Sequence, residues 1–303
     1  MREIRLSESF PSEATMLVVL KKTIEKSWNI DLDIENIENW LGNYTGRFYD
    51  IEVERRLALW MLCNFTYYNE DEVNHLCRIL YKNLVHRLMI DNQLSNEKDA
   101  EECINNTVFT SIGNASESGG LILYHFRQEN NLDLDRFIFP TDILETNSAS
   151  IVCIDDVMIS GRTACRFFHA HKEKLTKKKL YYLSLFATEK AITKLENLGI
   201  TVICCAVLDS RYQLFTEDSL AFHKYKYEKI CAKEMAEGYG KILEPDMPLG
   251  YKNGQYCFGL FYNIPNNSLP IFWSSHNSWS PIFMRKEKYQ NAKQAKRKYS
   301  YFI

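Results

Sequence analysis

Between Thr107 and Leu208 short apolar runs alternate with stretches in which apolar residues recur every three or four positions. The runs at Val108–Ile112, Ser150–Ile154, Leu180–Phe186 and Thr201–Leu208 predict strands, with Phe137–Phe139 as a shorter one. The periodic stretches Gly119–Gln128, Thr163–Leu175 and Thr188–Asn197 predict helices. Strands that are apolar throughout are what a parallel sheet covered on both faces requires, so the pattern predicts an α/β fold with right-handed crossovers. Up to about residue 106 the spacing is helical instead, as in Leu57, Leu59, Trp60, Leu62 and Cys63, and again in Val73, Leu76, Leu80, Leu84 and Leu88. Pro11 with Ser12, Asp50, and Glu70 with Asp71 mark helix starts there. After Leu208 the pattern predicts a helix over Ala221–Glu237 ended by Gly238 and Gly240, turns at Pro245, Pro248, Gly250 and Gly254, and a last strand over Gln255–Tyr262. The expected organisation is a helical N-terminal region, 1–106, followed by an α/β domain with an irregular C-terminal extension, 107–303. Asn130–Ala149, acidic and poorly periodic, is a candidate mobile loop or lid.

Composition adds limits to this picture. A chain of 303 residues with 46% hydrophobic content is ample for packed cores. A net charge of −2 gives no global attraction for nucleic acid. Positive charge concentrates near the C-terminus, in Arg285, Lys286, Lys288, Lys293, Lys296, Arg297 and Lys298, which marks a candidate contact for a protein or nucleic-acid partner beside the plain reading as a solvated helix face. The helical N-terminal region is expected to pack on the sheet or on another subunit, leaving a homo-oligomer open. Nine scattered cysteines without a Cys-x-x-Cys pair read as reduced thiols. The N-terminus has no leader pattern and no apolar span reaches 18 residues, so a cytoplasmic protein without membrane contact is expected.

The candidate chemistry lies in Ile151-Val-Cys-Ile-Asp-Asp-Val-Met-Ile-Ser-Gly-Arg-Thr-Ala164. An apolar strand leads into Asp155 and Asp156, expected at its carboxyl end, where open α/β sheets bind ligands. Ser160, Gly161, Arg162, Thr163 and Ala164 follow as a small-residue loop opening a helix, which offers backbone N–H groups, hydroxyls and a guanidinium to an anion. The carboxylates suit sugar hydroxyls or a divalent cation. A strand followed by an Asp-rich capping turn is the structural alternative. A second strand-to-helix loop, Ser111–Gly120, repeats the anion cradle with Ser116, Ser118, Gly119 and Gly120, and Arg127 lies two turns along its helix. Cys165 and His169 share a helix face, but His171 points elsewhere, so a metal site there has little support.

The stretch from Ile151 to Ala164 resembles the phosphoribosyl pyrophosphate (PRPP) signature of type I phosphoribosyltransferases. The helical N-terminal region and the run Asn266-Asn-Ser-Leu-Pro-Ile-Phe-Trp273 further resemble phosphoribosyltransferase-like proteins of bacterial conflict and antiviral systems. The resemblance implies a phosphoribosyltransferase-like core. It implies that Asp155 and Asp156 meet the ribose 2- and 3-hydroxyls and, indirectly, magnesium, that Ser160–Ala164 wraps the 5-phosphate, and that the loop before Gly120 binds pyrophosphate. Two positions depart from the pattern: Ile159 stands where the family usually carries a small or hydroxylated residue, which implies one phosphate contact fewer, and Cys153 is a mild change inside the strand. Asn266 and Trp273 are weak site candidates, since asparagines also close irregular turns and tryptophan also fills cores. The activity implied is transfer of ribose 5-phosphate to an unidentified acceptor, as an effector in antiviral defence. A sensor that binds PRPP or a nucleotide without turnover, and a hydrolase of N-glycosidic bonds, stay open beside it.

Overall fold

The computed structural model describes residues 4–112 and 118–284. In chain order its main elements are α1 (Glu13–Thr23), a π-helical turn (Ile24–Trp28), α2 (Ile34–Leu41), α3 (Ile51–Cys63), β1 (Thr66–Tyr68), α4 (Glu70–Asp91), α5 (Glu97–Asn105), β2 (Thr107–Thr110), α6 (Ser118–Glu129), β3 (Ser150–Met158), α7 (Arg162–Ala170), α8 (Lys172–Leu175), β4 (Lys179–Ala187), α9 (Glu189–Glu196), β5 (Thr201–Val207), α10 (Lys226–Leu243), β6 (Phe258–Leu260) and α11 (Pro270–Trp273). They form two compact units, one made of the residues up to Tyr68 together with those from Gln213 on, the other of Asn69–Tyr212. This division differs from a boundary at residue 106. The apolar stripe of α4, Val73, Cys77, Leu80, Leu84 and Leu88, is buried, and the helix packs on β4, β5 and α6 within the second unit.

The first unit is helical around an aromatic core. Ser12 caps α1 through a bond from the Thr15 amide, and Asp33 with Asn36 forms a reciprocal capping box on α2. The indoles of Trp40 and Trp279 both donate to the Ile271 carbonyl, at 2.8 and 3.0 Å, which ties the C-terminal run to the N-terminal helices. A strand that the sequence pattern missed, β1, pairs in parallel with β6, and only Phe258–Leu260 of the expected Gln255–Tyr262 strand is paired. Fully buried Glu54 accepts from the amides of Gly46, Phe48 and Tyr49 at 3.0, 2.7 and 3.1 Å, and from the Tyr239 hydroxyl at 2.7 Å. Four donors offset the cost of burying that carboxylate and fix the turn before α3.

Gly238 and Gly240 do not end a helix. α10 begins at Lys226 and runs through both to Leu243. A Cβ at Gly238 would lie 2.2 Å from the Phe48 ring, and one at Gly240 would lie 2.0 Å from the Pro248 carbonyl oxygen, so these glycines permit close packing. The Asn266–Trp273 segment is structural as well. Asn266 accepts from the Tyr251 amide, Asn267 donates to the Tyr251 carbonyl, and buried Trp273 donates to the Ser268 carbonyl.

The second unit holds a four-stranded sheet in the order β2-β3-β4-β5, parallel throughout. Ile151, Cys153 and Tyr182 face a cluster that contains Ala164, Phe168, Leu175, Ala191 and Leu195 of α7, α8 and α9. On the opposite face Phe109 packs against Phe126 of α6, which meets Tyr81 of α4. Phe137–Phe139 forms a single bridge, Phe137 to Phe109, in place of a strand. The Asn130–Ala149 segment is anchored at several points, unlike a free lid: Ile143 is fully buried, Arg136 donates to the Thr107 and Ile104 carbonyls, and Lys178 donates to those of Thr146 and Ser148. None of the nine cysteines is in a disulfide. Among the described residues no helix is long and apolar enough to cross a membrane.

Candidate functional site

The site is built on β3. Ile151, Val152, Cys153 and Ile154 are completely or almost completely buried, as a central parallel strand requires. The strand does not stop at Ile154. Pairing with β4 continues through Asp155↔Ser184, Val157↔Phe186 and Met158↔Ala187, so the two acids lie inside the strand and not at its carboxyl end. Neighbouring strand residues ordinarily face opposite sides, but the side chains of Asp155 and Asp156 interact directly, by a hydrogen bond and by charge.

Asp155 shares its face with Cys153 and Tyr182. The Tyr182 hydroxyl donates to Asp155 Oδ2 at 2.9 Å, and the Asp156 amide donates to Oδ1 at 2.9 Å. Burial holds the Asp155 carboxyl well above the usual carboxylate range. The charge of Asp156 adds to this, and the Tyr182 bond opposes it. The same burial, with Asp155 alongside, pushes the Tyr182 phenol well above its ordinary value. Asp156 is 5% exposed and its Oδ1 accepts from the Val157 amide at 2.8 Å. Ser184, beneath the pair, donates to the Asp156 and Phe186 carbonyls at 3.2 and 2.8 Å. The two carboxyls thus form one interacting acidic pair. Among the described residues no group of three or more His, Cys, Asp or Glu side chains could hold a metal ion, and this includes the neighbourhood of Cys165 and His169.

The loop Ile159-Ser160-Gly161 turns β3 into α7. Gly161 sits at φ +62°, a left-handed conformation suited to glycine, and leads into α7 without a side-chain cap. The amides of the first turn of α7 are therefore presented to an anion, flanked by the exposed side chains of Arg162 and Thr163, while Ala164 is buried beneath them. Ser160 Oγ stands 3.5 Å from the Arg162 amide. Helix α9 braces the loop: Thr188 Oγ1 donates to the Ile159 carbonyl at 2.7 Å, Lys194 Nζ donates to the Ser160 carbonyl at 3.0 Å, and a Cβ at Gly161 would lie 3.2 Å from Leu195.

The second cradle joins this one. β2 and β3 are parallel neighbours, so the strand ends that precede α6 and α7 lie at the same edge of the sheet. Gly119, buried in the first turn of α6, stands over β3: a Cβ there would meet Ser111 at 3.2 Å and the Ile154 carbonyl at 3.8 Å. Ser118 and exposed Gly120 flank it. Ser116 lies outside the described residues, as does the basic run from Arg285 on. Arg127 is not brought to this edge. It sits in the last turn of α6, ~13 Å along the helix axis from Ser118.

Sequence reasoning did not single out Tyr182, Thr188 or Lys194 as site residues. Tyr182 reaches Asp155 through strand register, and Thr188 and Lys194 reach the loop from a different helix; a linear motif contains neither relation. A search of curated proteins gave no match. The PRTase-CE family model matches residues 37–285, a span that includes β1, the entire signature and the Asn266–Trp273 run. The chain therefore belongs to the PRTase-CE family and is a phosphoribosyltransferase-like protein.

Proposed function

We propose that the chain binds PRPP, or a related ribose phosphate or nucleotide, at the β2–β3 edge and transfers ribose 5-phosphate to an acceptor. The observation that carries this reading is the PRPP-type signature, in a phosphoribosyltransferase-like chain, ending at the uncapped start of α7 with the start of α6 on the same edge. The amides of α7, with Arg162 and Thr163, suit the 5-phosphate. The first turn of α6, with Ser118, Gly119 and Gly120, suits pyrophosphate. Departure of pyrophosphate leaves positive charge on the ribose ring, and catalysis consists of stabilising that charge and the leaving group while fixing the incoming nucleophile. Asp155 is the acid placed for this, and its ionised form is the one that stabilises a cation. Because burial raises its pKa, the rate should climb as pH rises through that value. Magnesium belongs to the proposal as the counter-ion carried by the pyrophosphate, with the Asp155 and Asp156 pair as its indirect partner. The antiviral setting implied by the resemblance belongs to it too.

A second reading, binding without turnover, is favoured by the burial of Asp155, one oxygen of which is already engaged by the Tyr182 hydroxyl. Phosphorus NMR of the protein with PRPP, magnesium and a pool of nucleobases separates the readings. Release of pyrophosphate by the wild type and its loss in Asp155→Asn/Asp156→Asn is the expected result. Ribose 5-phosphate among the products identifies hydrolysis, bound but intact PRPP identifies a sensor, and unperturbed PRPP signals would sink the assignment.

A further inference from the structure

We propose that Lys194 is a binding residue for the ribose 5-phosphate group, its ammonium bridging the Ser160 carbonyl and a phosphate oxygen at the start of α7. This rests on the reading of the α7 loop as a phosphate cradle. Three observations carry it. Lys194 Nζ lies 3.0 Å from the Ser160 carbonyl oxygen, two residues before the first residue of α7. The half-buried ammonium has no carboxylate partner among the described residues and spends one of its three donors on a neutral carbonyl, so two donors and the full charge remain for an anion. The loop also lacks a donor that Lys194 can replace: the Ile159 side chain has no polar group, and its carbonyl is turned toward α9, where Thr188 already donates to it and accepts from the Ala191 amide. The packing of Gly161 against Ala191 and Leu195 sets α9 directly on the loop, which brings a charge from outside the signature to the place where it is needed.

An alternative role for Lys194 is a purely structural brace on the loop. Calorimetric titration of the full chain with ribose 5-phosphate, and separately with inorganic pyrophosphate, distinguishes the two. Lys194→Gln is expected to weaken ribose 5-phosphate binding about tenfold or more, the loss of one charge-assisted bond. Pyrophosphate binding and melting temperature should stay close to wild type, and Lys194→Arg should retain most of the affinity. Ribose 5-phosphate binding by Lys194→Gln equal to wild type overturns the role of Lys194 and leaves the proposed function standing. A fall in melting temperature with equal losses for both ligands assigns Lys194 to bracing and overturns it as well. A wild type that binds no ribose 5-phosphate overturns the reading of the cradle itself, and this inference with it.

Discussion

At the scale of single residues, Asp155 ties the chemistry of the site to the stability of the fold. Its carboxyl is held above the usual range by burial, so the folded chain keeps this proton over a pH interval in which the unfolded chain, titrating near pH 4, has lost it. A group of this kind contributes most to stability below about pH 4, and the contribution declines as pH rises toward the folded value. Asp155→Asn imitates the protonated side chain and carries none of this dependence. The expected outcome is that the melting temperature of the wild type falls relative to Asp155→Asn between pH 4 and neutrality. Parallel melting curves across that range would show that Asp155 ionises freely in the folded chain. The sequence displayed Asp155 and Asp156 as a pair, and in the structure their side chains interact with each other. That they lie within the strand is decided by the continued pairing with β4.

At the scale of elements, the strand-loop-helix unit around the signature was legible because apolar continuity, a glycine and a change of period are all local signals. The expected helix from Thr163 begins one residue earlier, at Arg162, and breaks at His171 into α7 and α8. The long helix α10 was misread for an equally physical reason. Glycine ends helices when nothing nearby needs its missing side chain, but here Phe48 and Pro248 occupy that space. Gly240→Ala should therefore destabilise the first unit by about 2 kcal/mol or more, since the new methyl meets backbone that cannot swing aside. Urea denaturation monitored by tryptophan fluorescence measures this, because Trp28, Trp40, Trp60, Trp273 and Trp279 all lie in that unit. A change below about 0.5 kcal/mol would show that the Pro248 segment relaxes.

At the scale of the whole molecule, the two units differ in how the chain builds them. The second is continuous, from Asn69 to Tyr212, and contains a complete sheet with helices on both faces. The first joins distant segments: β1 finds its partner β6 about 190 residues later, and the core around Trp40 is completed by Phe272 and Trp279. A fragment spanning 69–212 is expected to unfold cooperatively on its own, whereas 1–68 alone is expected to lack fixed structure. Thermal circular dichroism of the two fragments checks both statements. A non-cooperative 69–212 fragment would mean that the sheet depends on segments outside it.

The sequence by itself determined the α/β class, the parallel sheet and the position of the anion loop, because hydrophobic period and turn chemistry act over a few residues. Tertiary structure alone decided that the two acids lie within β3, that α4 belongs with the sheet, that Arg127 stands away from the cradle, and that Tyr182, Thr188 and Lys194 converge on the signature. The reason is the range of the interactions concerned. Strand register and helix packing join residues tens of positions apart through distance in space, and nothing in the local pattern of either partner encodes the other.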